Sequence, residues 1–113
     1  MTFEALFEFA PTETYFHKVT VETPNQAGGW DKSVFQAEFM RVEVDEYQEL
    51  IKKKPAEVLD QVLCGWKDLR AADRRTFVDY TPDHKAAFLR VPQAVLATFD
   101  IFQKTQYKGR EKN

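Results

Sequence analysis

The chain has 113 residues, of which 43% are apolar, and its aromatic residues are ten Phe, four Tyr and two Trp. This length and composition fit one domain with a hydrophobic core of its own. Charged residues make up 30% of the chain, but acids and bases are interspersed and the net charge is only −2, so we expect no nucleic-acid partner. The single cysteine excludes an internal disulfide and a multi-cysteine metal site.

The first half of the chain has the residue pattern of β-strands. Residues 15–23 are rich in β-forming side chains and lie between two prolines. Residues 33–44 alternate between two faces. The face that we expect to be buried carries Phe35, Ala37 and Phe39, and the opposite face carries Val34, Gln36, Glu38 and Met40. The two segments predict an antiparallel β-hairpin.

The segments that flank these strands are polar or short. Residues 24–32, PNQAGGWDK, are too long for a two-residue turn, so we expect a mobile loop with Trp30 at its tip. Residues 3–9 fit either a strand or a helical turn.

The N-terminus lacks the features of a signal peptide, and no stretch approaches the roughly 20 apolar residues that span a bilayer. We therefore expect a cytoplasmic protein without a membrane partner.

The second half has helical periodicity. Residues 45–54 predict a helix with Asp45 as N-cap, Gln48 reaching back to it, and three lysines in the last turn. A further ion pair is expected between Glu49 and Lys53. Pro55 then begins a second helix. Its apolar face contains Val58, Leu59, Val62, Leu63 and Trp66.

The segment LCGWKDL, residues 63–69, decides how the second helix ends. Gly65 lies where a helix C-terminus favours a left-handed residue, so we predict that it stops the helix and that Trp66 anchors the core. Cys64 would then lie near a helix C-terminus, where the dipole disfavours a thiolate, and no second cysteine exists. A buried structural cysteine is therefore expected, without redox chemistry.

Two more helices complete the predicted fold. Thr81 as N-cap and Pro82 at the first helical position predict a helix over residues 81–90. Its expected apolar face consists of His84, Ala87, Phe88 and Val91. Pro92 begins the last helix, in which Val95, Phe99 and Phe102 share one face. The prediction is a single α+β domain over residues 1–107, with an N-terminal hairpin, about four short helices, and a disordered tail over 108–113.

No group of residues has the spacing of a catalytic or metal site. His17 and His84 lack partners at metal-ligand spacing, so no metal is expected. Capping and the helix dipole account for the acids at the start of the 45–54 helix, Asp45, Glu46 and Glu49. AGGW is not a phosphate-binding motif, and the basic runs lie among acids. We expect neither an enzyme nor a cofactor.

Two features are candidates for binding a protein partner. The last helix is apolar on more than one face, so Phe99 and Phe102 belong either to the core or to a partner-binding surface. Trp30 in its polar loop is either an interface anchor or a structural residue. We predict that Trp30, Phe99 and Phe102 contact a partner and that Trp66, Phe77 and Phe88 shape the fold.

The order of these segments resembles a known family. A Phe-rich hairpin that ends in FQAEFMRVEVDEYQELI, then VLCGWKDL, then FVDYTPDHKAAFLRVPQAVLATFDIFQ, is similar to the small tail assembly chaperones of long-tailed (siphovirus-type) bacteriophages and prophages. The resemblance runs from about Phe16 to Tyr107, and GW with TPDHKAAFL is its most specific part. Family members often have Gly-rich turn residues after GW, whereas this chain has LRAADRRT.

The resemblance implies a non-catalytic function. Such chaperones bind the tape measure protein, keep it soluble and help to recruit tail tube subunits. The implied partners are the tape measure protein, the tail tube protein and other copies of the chain. The implied location is the cytoplasm of the bacterial host, not the mature virion, and a longer frameshifted form often exists in the family. The alternative is a small adaptor or regulatory protein-binding domain of phage or prophage origin.

Overall fold

The computed structural model describes residues 12–106, so the predictions for residues 3–9 and 108–113 lie outside the described residues. The predicted α+β fold is confirmed: within the described residues a β-hairpin comes first, one further strand completes an antiparallel sheet of order β1-β2-β3, and four helices follow the hairpin. The elements are β1 (Thr14–Pro24), β2 (Trp30–Met40), α1 (Val44–Leu50), α2 (Pro55–Val62), β3 (Leu63–Lys67), α3 (Pro82–Phe88) and α4 (Pro92–Gln106).

The hairpin is confirmed, but its loop is shorter than predicted. The ladder between β1 and β2 runs from Thr14 opposite Met40 to Pro24 opposite Trp30. Trp30 is therefore the first residue of β2 and does not lie at a loop tip. The side chain of Asn25 holds the loop, because its Oδ1 accepts hydrogen bonds from the backbone N–H groups of Ala27 and Gly29 at 3.1 and 2.9 Å. Gly28, with φ +85°, supplies the left-handed residue of the turn.

The core lies between one face of the sheet, here called the inner face, and the helices. The predicted buried face of β2 is confirmed, since Phe35, Ala37 and Phe39 are at most 1% exposed. The ring of Phe39 lies 5.5 Å from that of Phe102 on α4. The hydroxyl of Tyr15 on β1 is 2.7 Å from that of Thr105. These contacts fix α4 across the inner face.

The prediction for residues 63–67 was wrong. Helix α2 ends at Val62, and the chain continues at once as strand β3, with Leu63 already extended at φ −82° and ψ 108°. Gly65 is not a helix cap but lies opposite Glu38 in the ladder with β2, where a Cβ atom would lie 2.5 Å from Glu38 Oε1. Pairing with β2 satisfies the backbone and buries Trp66 opposite Ala37, and this long-range gain overrides the helical periodicity.

The details of helix α1 also differ from the prediction. Its N-cap is Glu43, whose side chain makes no capping hydrogen bond, so Asp45 is not the cap and no capping box forms. The helix ends at Leu50, and the three lysines therefore follow it instead of occupying its last turn. Glu49 pairs with Lys52 at 2.9 Å, not with Lys53.

The start signals of the other helices are confirmed. Pro55 begins α2, and the Thr81 hydroxyl caps α3 by accepting from the His84 backbone N–H at 3.1 Å. Of the predicted apolar face of α3, however, only Phe88 is buried. The remaining three, His84, Ala87 and Val91, are exposed.

Two of the three residues expected to shape the fold do so. Trp66 and Phe88 are buried with their rings 5.3 Å apart. Phe77 is 56% exposed, so its prediction was wrong. The physical reason is the alternation of an extended backbone: Val78 packs against the core, which directs its neighbour Phe77 away from it.

Candidate protein-binding surface

The face of the sheet opposite the helices, here called the outer face, carries a row of exposed apolar side chains. Its members on the hairpin are Phe16, Trp30, Val34 and Met40. They share one face because successive strand residues alternate and directly paired residues lie on the same side. The register pairs Phe16 with Glu38, Thr20 with Val34 and Pro24 with Trp30, which places all of them opposite the buried set.

The row extends along the whole of β2. Trp30 and Met40 are its ends, and a strand of this length spans about 34 Å at roughly 3.4 Å per residue. Trp30 is the most exposed member at 63%, and the other three are 41–48% exposed. Lys32, Gln36 and Glu38 lie between them on the same face of β2, so the apolar side chains are spaced along the strand. Several exposed large apolar side chains on one face make it a candidate interaction surface.

Polar and charged groups border these apolar side chains. The ammonium group of Lys67 on β3 lies 4.1 Å from the centre of the Phe16 ring, a cation–π contact at the edge of the row. Glu38 accepts a hydrogen bond from the Thr14 hydroxyl at 2.9 Å and lies over Gly65. Apolar and charged side chains therefore alternate on the outer face, a mixture that protein interfaces also contain.

The structure separates the three residues predicted to contact a partner. Trp30 lies on the outer face and is accessible. Phe102 is 0% exposed, with Phe39 and Tyr47 rings at 5.5 and 6.0 Å, so the core alternative holds for it and no partner can reach it in this structure. Phe99 is half-buried and packs against the core from α4. The two phenylalanines thus lie on the helical side of the molecule, away from Trp30.

The outer-face residues that sequence reasoning missed are Phe16, Val34 and Met40. The period-2 alternation that correctly identified the buried face of β2 could also have identified Val34 and Met40, because they fall on the opposite face. The sequence does not show that the opposite face stays uncovered, since that depends on where the helices pack.

Cys64 has the environment of a structural thiol. It lies where the register between β2 and β3 shifts, between the residues opposite Phe39 and Glu38, with its Sγ 3.5 Å from the Glu38 carbonyl oxygen. Partial burial raises the pKa of the Cys64 thiol, and the negative charge of Glu38 raises that pKa further. A catalytic thiolate needs the opposite shift.

The two histidines are engaged with the backbone. Nδ1 of His17 lies 2.9 Å from the carbonyl oxygen of Lys18, and Nδ1 of His84 lies 2.7 Å from that of Asp79. Between residues 12 and 106, no three His, Cys, Asp or Glu side chains converge in a way that could hold a metal ion.

The sheet and its surroundings define a class: an α+β protein whose sheet has one face covered by helices and the other face accessible, with four exposed apolar side chains among polar ones. Comparison with known protein families, curated proteins and solved structures found no match to this chain. Within the described part of the chain, no helix has the length and apolar character needed to cross a membrane.

Proposed function

We propose that this protein is a phage tail assembly chaperone, which binds the tape measure protein in the cytoplasm of the bacterial host, keeps it soluble and helps to recruit tail tube subunits. The resemblance of the hairpin, GW and TPDHKAAFL segments motivates the family. The observation that carries a non-catalytic binding function is the exposed apolar row on the outer face.

The outer face suits an amphipathic helix as its partner. A sheet face with exposed apolar side chains becomes stable when another element covers it, and helices pack on sheets as a separate layer. The helices of this chain already cover the inner face, so a partner helix on the outer face would form a third layer. A helix with an apolar stripe and a polar back meets this requirement.

Weak binding at each site is compatible with this function. A long tape measure protein offers many amphipathic stretches, and several chaperone copies on one chain gain from multivalency without tight individual contacts. The chaperone has to leave when the tube polymerises around the tape measure protein. Modest affinity per copy makes that release possible.

Co-expression with the tape measure protein encoded nearest downstream tests the proposal. We expect that protein to become soluble and to co-purify with the chain. The double variant Phe16→Ala with Trp30→Ala should weaken binding about tenfold or more, because aromatic residues dominate interface energies. Leu96→Ala is the matched control, since Leu96 is 59% exposed but lies on α4, away from the sheet's outer face.

Two other outcomes of this experiment would contradict the proposed function or the proposed binding surface. If the tape measure protein stays insoluble and does not co-purify, the chaperone function is wrong and the adaptor alternative is favoured. If the complex forms but resists the outer-face variant and is lost with Phe99→Ala, the binding surface is the helical side instead. Circular dichroism of every variant checks that binding was not lost through unfolding.

A further inference from the structure

A groove of about 750 Å³ lies beside the hairpin and shares only Val34 with the row of apolar side chains on the outer face. One wall is the part of β2 nearest the loop, with Asp31, Lys32, Ser33 and Val34 as consecutive lining residues. Val21 and Thr23 of β1 also line it, from the inner face. Because Lys32 and Val34 lie on the outer face, the groove extends from the inner face of the hairpin around the open edge of β2. The other wall belongs to the connector, defined here as residues 68–81.

The edge of β2 at this groove is not part of a ladder. β3 pairs with β2 only from Gln36 to Phe39, so Trp30–Phe35 has β1 on one side and the groove on the other. Between residues 12 and 106, no backbone hydrogen bond joins Trp30–Phe35 to the connector. Backbone donors and acceptors at such an edge are available to another extended chain.

The connector forms a well-built second wall. Arg70 and Phe77 are bridged in antiparallel fashion, and the flanking hydrogen bonds are Ala71 N–H to Thr76 C=O at 2.8 Å and Val78 N–H to Leu69 C=O at 2.7 Å. The turn between them is tied to the hairpin, because the Arg74 guanidinium lies 3.1 Å from the Asp31 carboxylate.

The groove has a cationic and apolar lining. Its lining includes three cationic side chains, Lys32, Arg70 and Arg74, and two carboxylates, Asp31 and Asp68, in a chain whose net charge is −2. Lys32 is paired with Glu22 at 4.0 Å. Asp31 is already bonded to Arg74 and to the Asn25 amide at 3.1 Å. Arg70 lies 5.7 Å from the centre of the Phe77 ring, and within residues 12–106 it has no ion-pair partner.

We propose that this groove binds an extended segment of a protein partner, which pairs with the edge of β2 over Trp30–Phe35 and presents a carboxylate to Arg70. The apolar residues Val34 and Phe77 would contact the side chains that flank this carboxylate. Strand addition takes its affinity from main-chain hydrogen bonds and its specificity from alternate side chains. The proposal goes beyond the chaperone function, because it concerns an extended acidic segment at the edge of β2 and not a helix on the outer face. Val34 alone belongs to both surfaces.

The test is a titration of the isotope-labelled full chain with the blocked peptide acetyl-VEVEV-amide, followed by amide chemical shifts. We expect shifts in residues 31–35 and 69–77 and not at Phe16 or Lys18 of the outer face. Arg70→Gln should weaken binding about tenfold, as expected for loss of a charge-assisted hydrogen bond. Arg90→Gln is the matched control, because Arg90 is also exposed but lies between α3 and α4.

Two further peptides separate the parts of the proposal. Replacement of both glutamates by lysine should abolish the shifts, and N-methylation of the central valine should weaken binding by removing a main-chain donor. The proposal is overturned by no shifts at about 1 mM peptide, a concentration that detects even weak binding. It is also overturned by equal binding of the lysine peptide, by an unchanged affinity of Arg70→Gln, or by shifts confined to the outer face. None of these results changes the expected co-purification of a tape measure protein, so the failure of one proposal can be told apart from the failure of the other.

Discussion

Trp66 joins the sheet, the connector and helix α3. Its ring lies 4.9 Å from that of Tyr80 and 5.3 Å from that of Phe88, and its indole N–H donates to the Val78 carbonyl at 2.8 Å. Trp66→Phe keeps an aromatic ring but leaves this carbonyl without its donor. We expect the free energy of unfolding to fall by about 1–3 kcal/mol. Urea denaturation followed by circular dichroism measures it.

Phe77, an exposed aromatic residue of the same connector, provides the control for the Trp66 prediction. Its ring is 56% exposed, so Phe77→Ala should change the free energy of unfolding by no more than about 0.5 kcal/mol. A loss at Phe77→Ala equal to that at Trp66→Phe would show that the connector, and not the Trp66 contact, limits stability.

At the scale of elements, the turn of the connector depends on one carboxylate. Asp73 accepts hydrogen bonds from the backbone N–H groups of Arg75 and Thr76 and from the Thr76 hydroxyl at 2.7–2.9 Å. These donors lower the pKa of Asp73 from its ordinary 3.8 to about 2. Because the folded pKa is the lower one, the stabilisation is complete above about pH 4 and is lost as the pH falls toward 2.

Asp73→Asn tests this pH dependence, because it keeps the side-chain acceptor but removes the titration. We expect the wild type to be more stable than the variant near pH 6 and this difference to shrink between pH 4 and pH 2. Thermal unfolding of both proteins across this range is the measurement. A difference that is constant with pH would mean that the charge of Asp73 does not stabilise the turn.

At the scale of the whole molecule, β2 is the central strand and its two halves differ. Residues Gln36–Phe39 are paired on both sides and lie over the core, whereas Trp30–Phe35 is paired with β1 alone. We predict that amide hydrogen exchange is slowest in Gln36–Phe39 and faster in the exposed half, because protection follows burial and pairing. Exchange followed by NMR checks this, and uniform protection along β2 would contradict an open edge.

Much of the fold was predictable because its signals are local. Alternation in β2 identified Phe35, Ala37 and Phe39 as buried, and proline or threonine positions located the starts of α2, α3 and α4. The strand β3 was missed, since residues 63–66 continue the helical spacing of α2 and only their pairing with β2 makes them extended. Of the outer-face residues, Trp30 alone was selected from sequence.

Periodicity and capping residues specify the element types over much of the chain, and alternation specifies the burial pattern of the hairpin. Which face of the sheet is covered depends on tertiary packing, and so does the burial of Phe102 and the exposure of Trp30. The point at which β3 stops along β2, which leaves the groove, also depends on it. The reason is physical: periodicity and capping act over a few residues, whereas layer packing and strand pairing join segments that are tens of residues apart.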